Sequence, residues 1–206
     1  MNTEAPLDFL ISSGDAPSKQ EILRVALDLF VRDGLCATSL RDIAAASGYS
    51  STVLYKFFES KEALAIYLFD RCYGFLALRL RARLDPALPF SANLRALMLS
   101  AGEMVSLHAQ AVLYVSEHIR LMWPSMSGRR RQGSLVRILT ELFAQGVREG
   151  AIDHESEIPY LVTVFMGSLS QYAKFAYFHE FSVGPEDGIQ MLSGILERVF
   201  RSNAHG

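Results

Sequence analysis

The feature that most constrains the fold is a pair of short apolar segments separated by Gly48, within the stretch DIAAASGYSSTVLYKFFESKEAL at residues 42–64. Glycine readily adopts the positive φ that a sharp chain reversal needs. Ser39 has an acid three residues later, which is the pattern of a capping box, and Ser50 can cap the segment after the glycine. The spacing therefore predicts two short helices that cross at a tight turn.

The rest of the chain has the pattern of an all-α protein. Leu, Ala, Arg, Glu and Phe recur at helical spacing, and long Val/Ile/Thr alternations are missing. Only 7 prolines and 14 glycines interrupt the 206 residues. The predicted helices are one opened by Ser18 and ended by Gly34, a second beginning after Ser39, then 51–57, 61–83, 92–106, 109–122, 130–148, 155–181 and 186–201.

This pattern predicts two domains. A small N-terminal domain covers residues 18–64, and a larger helical domain covers 65–202. Residues 1–17 mix Pro, Gly, Ser and Asp without periodicity and are predicted to be a flexible tail. The boundary is soft, because the fourth predicted helix runs from the small domain into the larger one.

Composition points to a cytoplasmic protein outside the membrane. The two cysteines, Cys36 and Cys72, are too few for a disulfide scaffold and fit a reducing compartment. Glu4 and Asp8 stand where a signal peptide would carry a basic leader. The longest uncharged apolar run, 158–173, is shorter than the ~20 residues that span a bilayer. The net charge of −2 gives no sign of a nucleic-acid partner by itself.

Three short helices with a tight turn before the last form a helix-turn-helix unit. Such a unit lays its last helix in the major groove of DNA and directs that helix's first residues at base edges. Hydroxyl groups there can donate or accept hydrogen bonds, and a lysine beside free backbone N–H groups can bind phosphate. The predicted DNA-contacting residues are Thr38, Ser39, Arg41, Ser50, Ser51, Thr52, Tyr55, Lys56 and Lys61. For Ser39, helix capping and phosphate contact both stay open.

The same residues carry a resemblance to a known family. The matching positions are Ile22, Ala26, Leu29, Phe30, Gly34, Thr38, Ile43, Ala44, Gly48, Ser50, Leu54, Tyr55, Phe58, Ser60, Lys61, Glu62 and Leu64. With this spacing, residues 22–64 resemble the DNA-binding domain of the TetR/AcrR family of transcriptional regulators. Such regulators often carry other residues at Ser51, Thr52, Val53 and Phe57, so the resemblance implies DNA binding but no operator sequence.

The resemblance also implies a homodimer whose interface lies on the last two long helices. Apolar stripes on these helices fit that use, although they are equally the pattern of a helix packed against its own domain. The predicted interface residues are Leu161, Phe165, Ser168, Ile189, Leu192, Leu196 and Phe200.

The middle helices are rich in residues that line apolar cavities. Methionine adapts its shape and aromatic rings give a pocket its form, which suits a small apolar ligand. The predicted pocket residues are Met98, Tyr114, His118, Trp123, Phe143, Phe165 and Tyr172, and plain core packing is the alternative for each. No histidine has metal-ligand spacing with a second His or Cys, and no cofactor is predicted.

These features together predict a homodimeric repressor that binds a palindromic operator in double-stranded DNA and is released by an unknown small apolar ligand. No catalytic triad, Cys-His pair or phosphate loop indicates an enzyme. Two alternatives stay open: a constitutive or activating regulator without a ligand, and an all-helical enzyme with a DNA-binding head.

Overall fold

The computed structural model describes residues 7–125, 133–178 and 185–201, and within these ranges the chain is helical and contains no strand. The predicted all-α class is confirmed. The helices are α1 (Pro17–Arg32), α2 (Leu40–Ser47), α3 (Ser51–Tyr55), α4 (Lys61–Arg83), α5 (Phe90–Met122), α6 (Leu135–Arg148), α7 (Ile158–Tyr177) and α8 (Pro185–Arg201).

The chain forms two compact units. The first comprises Met1–Phe75 and Leu113–Met126, and the second comprises Leu76–Val112 and Ser127–Gly206. Both α4 and α5 therefore contribute residues to both units. The boundary predicted near residue 65 lies about ten residues before the point where α4 leaves the first unit.

The core of the first unit is built from the apolar faces of α1 to α4. Ile22, Ala26 and Phe30 lie at helical spacing on one face of α1 and are fully buried. α1 ends where Gly34 takes a φ of 88°, as the sequence predicts for a C-terminal glycine. Tyr114 from α5 is also fully buried in this unit, and its hydroxyl donates to the carbonyl of Ala65 at 3.0 Å.

The N-terminal strap, which we define as residues 7–16, is packed onto α4. Leu10 is fully buried, and the ring of Phe9 stacks on Phe75 with 4.1 Å between centroids. The guanidinium of Arg71 donates to the carbonyls of Phe9 at 2.8 Å and Ile11 at 2.7 Å. The prediction of a flexible tail over residues 1–17 is therefore wrong for residues 7–17, because side chains about 60 positions away hold this segment.

The strap joins α1 through a second set of polar contacts. Asp15 accepts hydrogen bonds from the ammonium of Lys19 and the backbone N–H of Ser12, both at 2.8 Å, and these bonds lower its pKa. The Lys19 ammonium also lies 5.0 Å from the centre of the Tyr67 ring on α4. α1 itself begins at Pro17 after Ala16, which makes no side-chain cap, so Ser18 is not the N-cap that the sequence predicted.

The second unit is organised around an aromatic cluster and a break in α5. The ring of Phe143 lies 6.4 Å from that of Phe90 and 5.2 Å from that of Phe200, measured between centroids. At His108 the backbone leaves the helical region, with φ −139° and ψ 37°. This break matches the predicted interruption between helices 92–106 and 109–122. By length and composition, Phe90–Ser125 is the single segment of the described ranges that could cross a bilayer, but 61% of its most apolar window is buried in the protein.

Helix boundaries elsewhere differ from the sequence predictions by a few residues. α4 ends at Arg83 as predicted, whereas α3 ends at Tyr55 rather than at residue 57. α6 begins at Leu135, where Ser134 accepts a hydrogen bond from the N–H of Arg137 and so caps the helix. The predicted start near residue 130 lies outside the described residues.

Candidate DNA-binding surface

The turn between α2 and α3 has the geometry of a helix-turn-helix. Gly48 takes a φ of 74°, and the N–H of Tyr49 donates to the carbonyl of Ala44 at 3.1 Å, which closes the end of α2. Ser50 then adopts an extended conformation, and its hydroxyl accepts a hydrogen bond from the N–H of Val53 at 3.4 Å. The predicted reversal at Gly48 and the predicted cap at Ser50 are both confirmed.

One face of α3 is buried and the other is exposed. Leu54 is fully buried, and Phe58 directly after the helix is 6% exposed. α3 packs against α1 and α2, and the Phe58 ring makes an edge contact with Tyr67 of α4, with 5.5 Å between centroids. The exposed face carries Thr52, Tyr55 and Lys56, and the Tyr55 side chain is 57% exposed. The buried side chains of Leu54 and Phe58 thus orient α3 so that its polar face is exposed to solvent.

Most of the predicted DNA-contacting residues are accessible. Ser39, Arg41, Ser50, Thr52, Tyr55 and Lys56 are exposed, and Ser51 is half-buried. Thr38 is an exception, because its side chain is only 3% exposed and its hydroxyl donates to the carbonyl of Gly34 at 2.9 Å. The prediction that the Thr38 side chain contacts DNA is therefore wrong. Its hydroxyl holds the loop after α1 instead.

Lys61 also differs from the prediction. Its ammonium is partly buried and donates to the carbonyls of Leu35 at 2.8 Å and Thr38 at 3.0 Å. Both acceptors lie in the loop between α1 and α2, so Lys61 joins that loop to the start of α4. No local sequence pattern indicates this contact, which spans 23 to 26 residues.

The first turn of α2 is occupied by a capping box, as predicted. The Ser39 hydroxyl accepts from the N–H of Asp42, while the Asp42 carboxylate accepts from the Ser39 N–H at 2.8 Å and from its hydroxyl at 2.7 Å. These hydrogen bonds lower the pKa of Asp42. The carboxylate stands beside the free N–H groups that would attract a phosphate, so the geometry favours capping as the role of the Ser39 side chain.

The apolar stripes predicted as a dimer interface are mainly core. Leu161, Phe165, Ile189, Leu196 and Phe200 are at most 8% exposed within one chain. Their burial agrees with the alternative of packing against their own domain, and their use in a dimer interface stays a prediction. Ser168 and Leu192 are half-buried.

Other apolar residues of the same two helices are exposed. On α8, Met191, Ile195 and Val199 follow one another at intervals of four residues and are 63%, 47% and 44% exposed. On α7, Tyr160 is 72% and Val164 39% exposed. On each helix these exposed residues stand one position before residues of the predicted stripe. Periodicity alone does not decide which of the two apolar stripes is buried.

The predicted ligand-pocket residues do not share one compact unit. Tyr114, His118 and Trp123 belong to the first unit, whereas Met98, Phe143, Phe165 and Tyr172 belong to the second. Met98 and Phe165 are each 3% exposed, and Tyr114 and Phe143 are fully buried. Their burial agrees with the alternative of core packing, and a pocket lined by these residues stays a prediction.

A surface groove lies instead between α6 and α7. It has a volume of about 680 Å³ and is open to solvent. Its lining is mostly apolar and consists of Val136, Thr140, Glu155, Ile158, Pro159, Val162, Thr163, Met166 and Gly167. The described residues contain no group of three or more His, Cys, Asp or Glu side chains placed to hold a metal ion.

Comparison with known proteins identifies the helix-turn-helix unit. The sequence profile of bacterial regulatory proteins of the tetR family matches residues 22–68, which run from α1 into α4. The chain belongs to the tetR family. This confirms the resemblance found in the sequence, and the match covers the Gly48 turn and the capping box of α2.

Curated tetR-family relatives carry the name HTH-type transcriptional repressor KstR2. The protein from Mycolicibacterium smegmatis is 34% identical over 110 residues, which are 53% of this chain and 54% of that protein. The protein from Mycobacterium tuberculosis H37Rv is 31% identical over 135 residues, which are 63% of this chain and 66% of that protein. The chain thus spans about half to two thirds of the length of these relatives.

Solved structures share the whole fold. KstR2 of Mycobacterium tuberculosis, a ketosteroid transcriptional regulator, has a TM-score of 0.73 and 23% identity, with 90% of this chain and 96% of that chain covered. The fatty acid degradation regulator FadR of Bacillus halodurans has a TM-score of 0.69 and 17% identity, with 89% and 96% covered. At these identities the likeness establishes the tetR-family fold alone.

Proposed function

We propose that this chain is a transcriptional repressor that binds a palindromic operator as a homodimer. The observation that carries the proposal is the exposed face of α3, where Thr52, Tyr55 and Lys56 stand outward from the buried anchor Leu54. A helix-turn-helix inserts its second helix into the major groove, so these side chains meet base edges and phosphates. The repressor name of the curated relatives supports the sign of regulation.

Each exposed side chain has a chemistry suited to one part of DNA. The Thr52 hydroxyl can donate to or accept from a base edge, and its methyl group can touch a thymine methyl. The Tyr55 hydroxyl and the Lys56 ammonium can reach phosphate, as can Arg41 at the exposed start of α2. Residues 1–65 hold six Lys and Arg against nine Asp and Glu, so few phosphates are neutralised and the salt dependence of binding is modest.

The homodimer is proposed because a single helix-turn-helix unit contacts a short stretch of DNA. One helix-turn-helix reads too few base pairs for specificity, and two copies bind half-sites about 34–36 Å apart. The exposed apolar residues Met191, Ile195 and Val199 on α8 supply the interface, together with Tyr160 and Val164 on α7. Burying such residues between two chains removes apolar surface from water and stabilises the pair.

The proposed effector is a small apolar, lipid-derived molecule bound in the second unit. Two structural relatives are named as a ketosteroid regulator and a fatty acid degradation regulator, which supports this ligand class. α4 is one unbroken helix with residues in both units. A shift of its C-terminal half therefore displaces its N-terminal end, which comes directly after α3 in the chain. An effector that weakens DNA binding must by linkage bind less well to the DNA-bound protein. We place the protein in the cytoplasm, where its operator lies.

The test is selection of genomic fragments by the purified full chain at two salt concentrations, followed by sequencing. The proposal predicts enrichment of a short inverted repeat by the parent protein. Lys56→Gln should lose most of this enrichment at the higher salt. Arg148→Gln, which removes one exposed charge from the second unit, should keep it. Fragments retained without any shared sequence by the parent protein would contradict operator recognition.

A further inference from the structure

We propose that Lys61 is a positioning residue that fixes the DNA-reading helices, and that it does so by clamping a loop rather than by binding phosphate. The inference rests on the proposed function, because it assigns a role within the DNA-binding unit. It starts from one observation: the Lys61 ammonium donates to the carbonyls of Leu35 and Thr38, at 2.8 and 3.0 Å.

The clamped loop joins the end of α1 to the start of α2. Gly34 opens it with a φ of 88°, and Thr38 closes it, with its N–H and its hydroxyl both donating to the Gly34 carbonyl at 3.2 and 2.9 Å. The carbonyls of Leu35 and Thr38, in the same loop, are the two acceptors of Lys61. The single ammonium of Lys61 satisfies both of them.

The other end of the clamp is the first turn of α4. Lys61 is the first residue of that helix, and Ser60 before it accepts a hydrogen bond from the N–H of Ala63 at 3.1 Å. The ammonium therefore connects the start of α4 to Thr38, which is next to the N-cap residue Ser39 of α2. Since α2 leads through the Gly48 turn into α3, this connection sets where the recognition helix stands.

The donor inventory of lysine limits any second role. An ammonium has three N–H donors, and two of them already meet carbonyl oxygens at short distances. Hydrogen bonds from a charged donor are stronger than neutral ones, so a phosphate would compete with an arrangement that is already made. Lys56 provides the contrast within the same unit, because its side chain is exposed beside α3.

The experiment compares four variants of the full chain: Lys61→Met, Lys61→Arg, Lys56→Met and Lys56→Arg. Binding to the selected operator is measured by fluorescence anisotropy over a range of salt concentrations, and thermal unfolding is measured without DNA. The loss of one phosphate contact lowers the slope of log K against log salt by about 0.9 per subunit. The slope therefore separates a phosphate ligand from a residue that acts through the loop.

The proposal predicts that Lys61→Met weakens operator binding about tenfold at every salt concentration, with the slope of the parent protein. Its unfolding midpoint should fall about 4 °C below that of Lys56→Met. Lys61→Arg should not restore binding, because one ammonium nitrogen meets both carbonyls, whereas the bulkier guanidinium carries its donors on separate nitrogens and would push the loop away from α4. Lys56→Met should lower the slope by about 0.9 per subunit, and Lys56→Arg should restore it.

The opposite pattern would overturn the clamp. In that case Lys61→Met would lower the slope by about 0.9 per subunit and keep the parent's unfolding midpoint, and Lys61→Arg would restore binding. Failure of the proposed function would look different, since the parent protein itself would select no operator. Thermal unfolding would then still decide about the clamp: a lower midpoint for Lys61→Met than for Lys56→Met supports it, and equal midpoints refute it.

Discussion

Replacing Arg71 with methionine should release the N-terminal strap from α4. The Arg71 guanidinium donates to the carbonyls of Phe9 at 2.8 Å and Ile11 at 2.7 Å, and both bonds are partly buried. Methionine keeps much of the apolar stem of the side chain and removes the charged donors. The change therefore isolates the two hydrogen bonds from the packing of the stem.

The magnitude follows from the kind of bond that is lost. A hydrogen bond to a charged group contributes about 1.5–3 kcal/mol, and partial solvent exposure of the Arg71 pair reduces the sum to about 2 kcal/mol. In a chain of 150–250 residues, 1 kcal/mol shifts the unfolding midpoint by about 2–4 °C. We therefore expect Arg71→Met to lower the midpoint by about 4–8 °C.

The assay is thermal unfolding followed by circular dichroism, with amide hydrogen exchange of the strap as a local readout. Arg24→Met on α1 is the matched control, because the ion pair that Arg24 makes with Glu21 at 3.8 Å is exposed. Such a pair is worth at most about 1 kcal/mol, so the control should unfold close to the parent. If Arg71→Met unfolds like Arg24→Met and the amide of Leu10 exchanges no faster, Arg71 does not hold the strap on α4.

Three further predictions concern other parts of the structure. Gly48→Ala should cost about 1–2 kcal/mol in chemical denaturation from left-handed strain alone, because no atom beyond its two chain neighbours lies within 4 Å of a Cβ placed there. Ile195→Asp, on the exposed face of α8, should convert dimers to monomers in light scattering and leave the fold intact, whereas Leu196→Asp, in the buried stripe, should unfold the protein. Burial and the charge of Arg79 lower the pKa of His108 below its ordinary value of 6.5, so under pH 6.5 the unfolded chain binds more protons at His108 than the folded chain. The free energy of unfolding should therefore fall from pH 7 to pH 5. In His108→Gln the share of this fall that comes from His108 should be absent.

Local patterns in the sequence predicted the local structure well. The reversal at Gly48, the capping box at Ser39 and the end of α4 at Arg83 were found because each depends on residues within a few positions. Capping and turn formation depend on side chains only a few positions apart, so both can be predicted from the sequence.

Contacts between distant positions could not be predicted in this way. The strap is held by Arg71, about 60 residues from Phe9, and the Lys61 clamp spans more than 20 residues. From the sequence alone, a lysine in a DNA-binding motif is predicted to bind phosphate. Only the structure shows that the Lys61 ammonium donates to two backbone carbonyls. The exposed faces of α7 and α8 could not be predicted for another reason. Both helices carry apolar residues on two faces, and only the packing of the chain decides that Leu196 is buried and Ile195 exposed.

The measurement that tests the central claim most directly is the base preference of the parent protein and of Thr52→Ala, compared position by position over a randomised half-site. If the exposed face of α3 reads the major groove, Thr52→Ala should relax the preference at one symmetry-related pair of positions and leave the others unchanged. Lys56→Gln should weaken binding to all sequences about equally. A Thr52→Ala profile identical to that of the parent would contradict the assignment of α3 as the recognition helix.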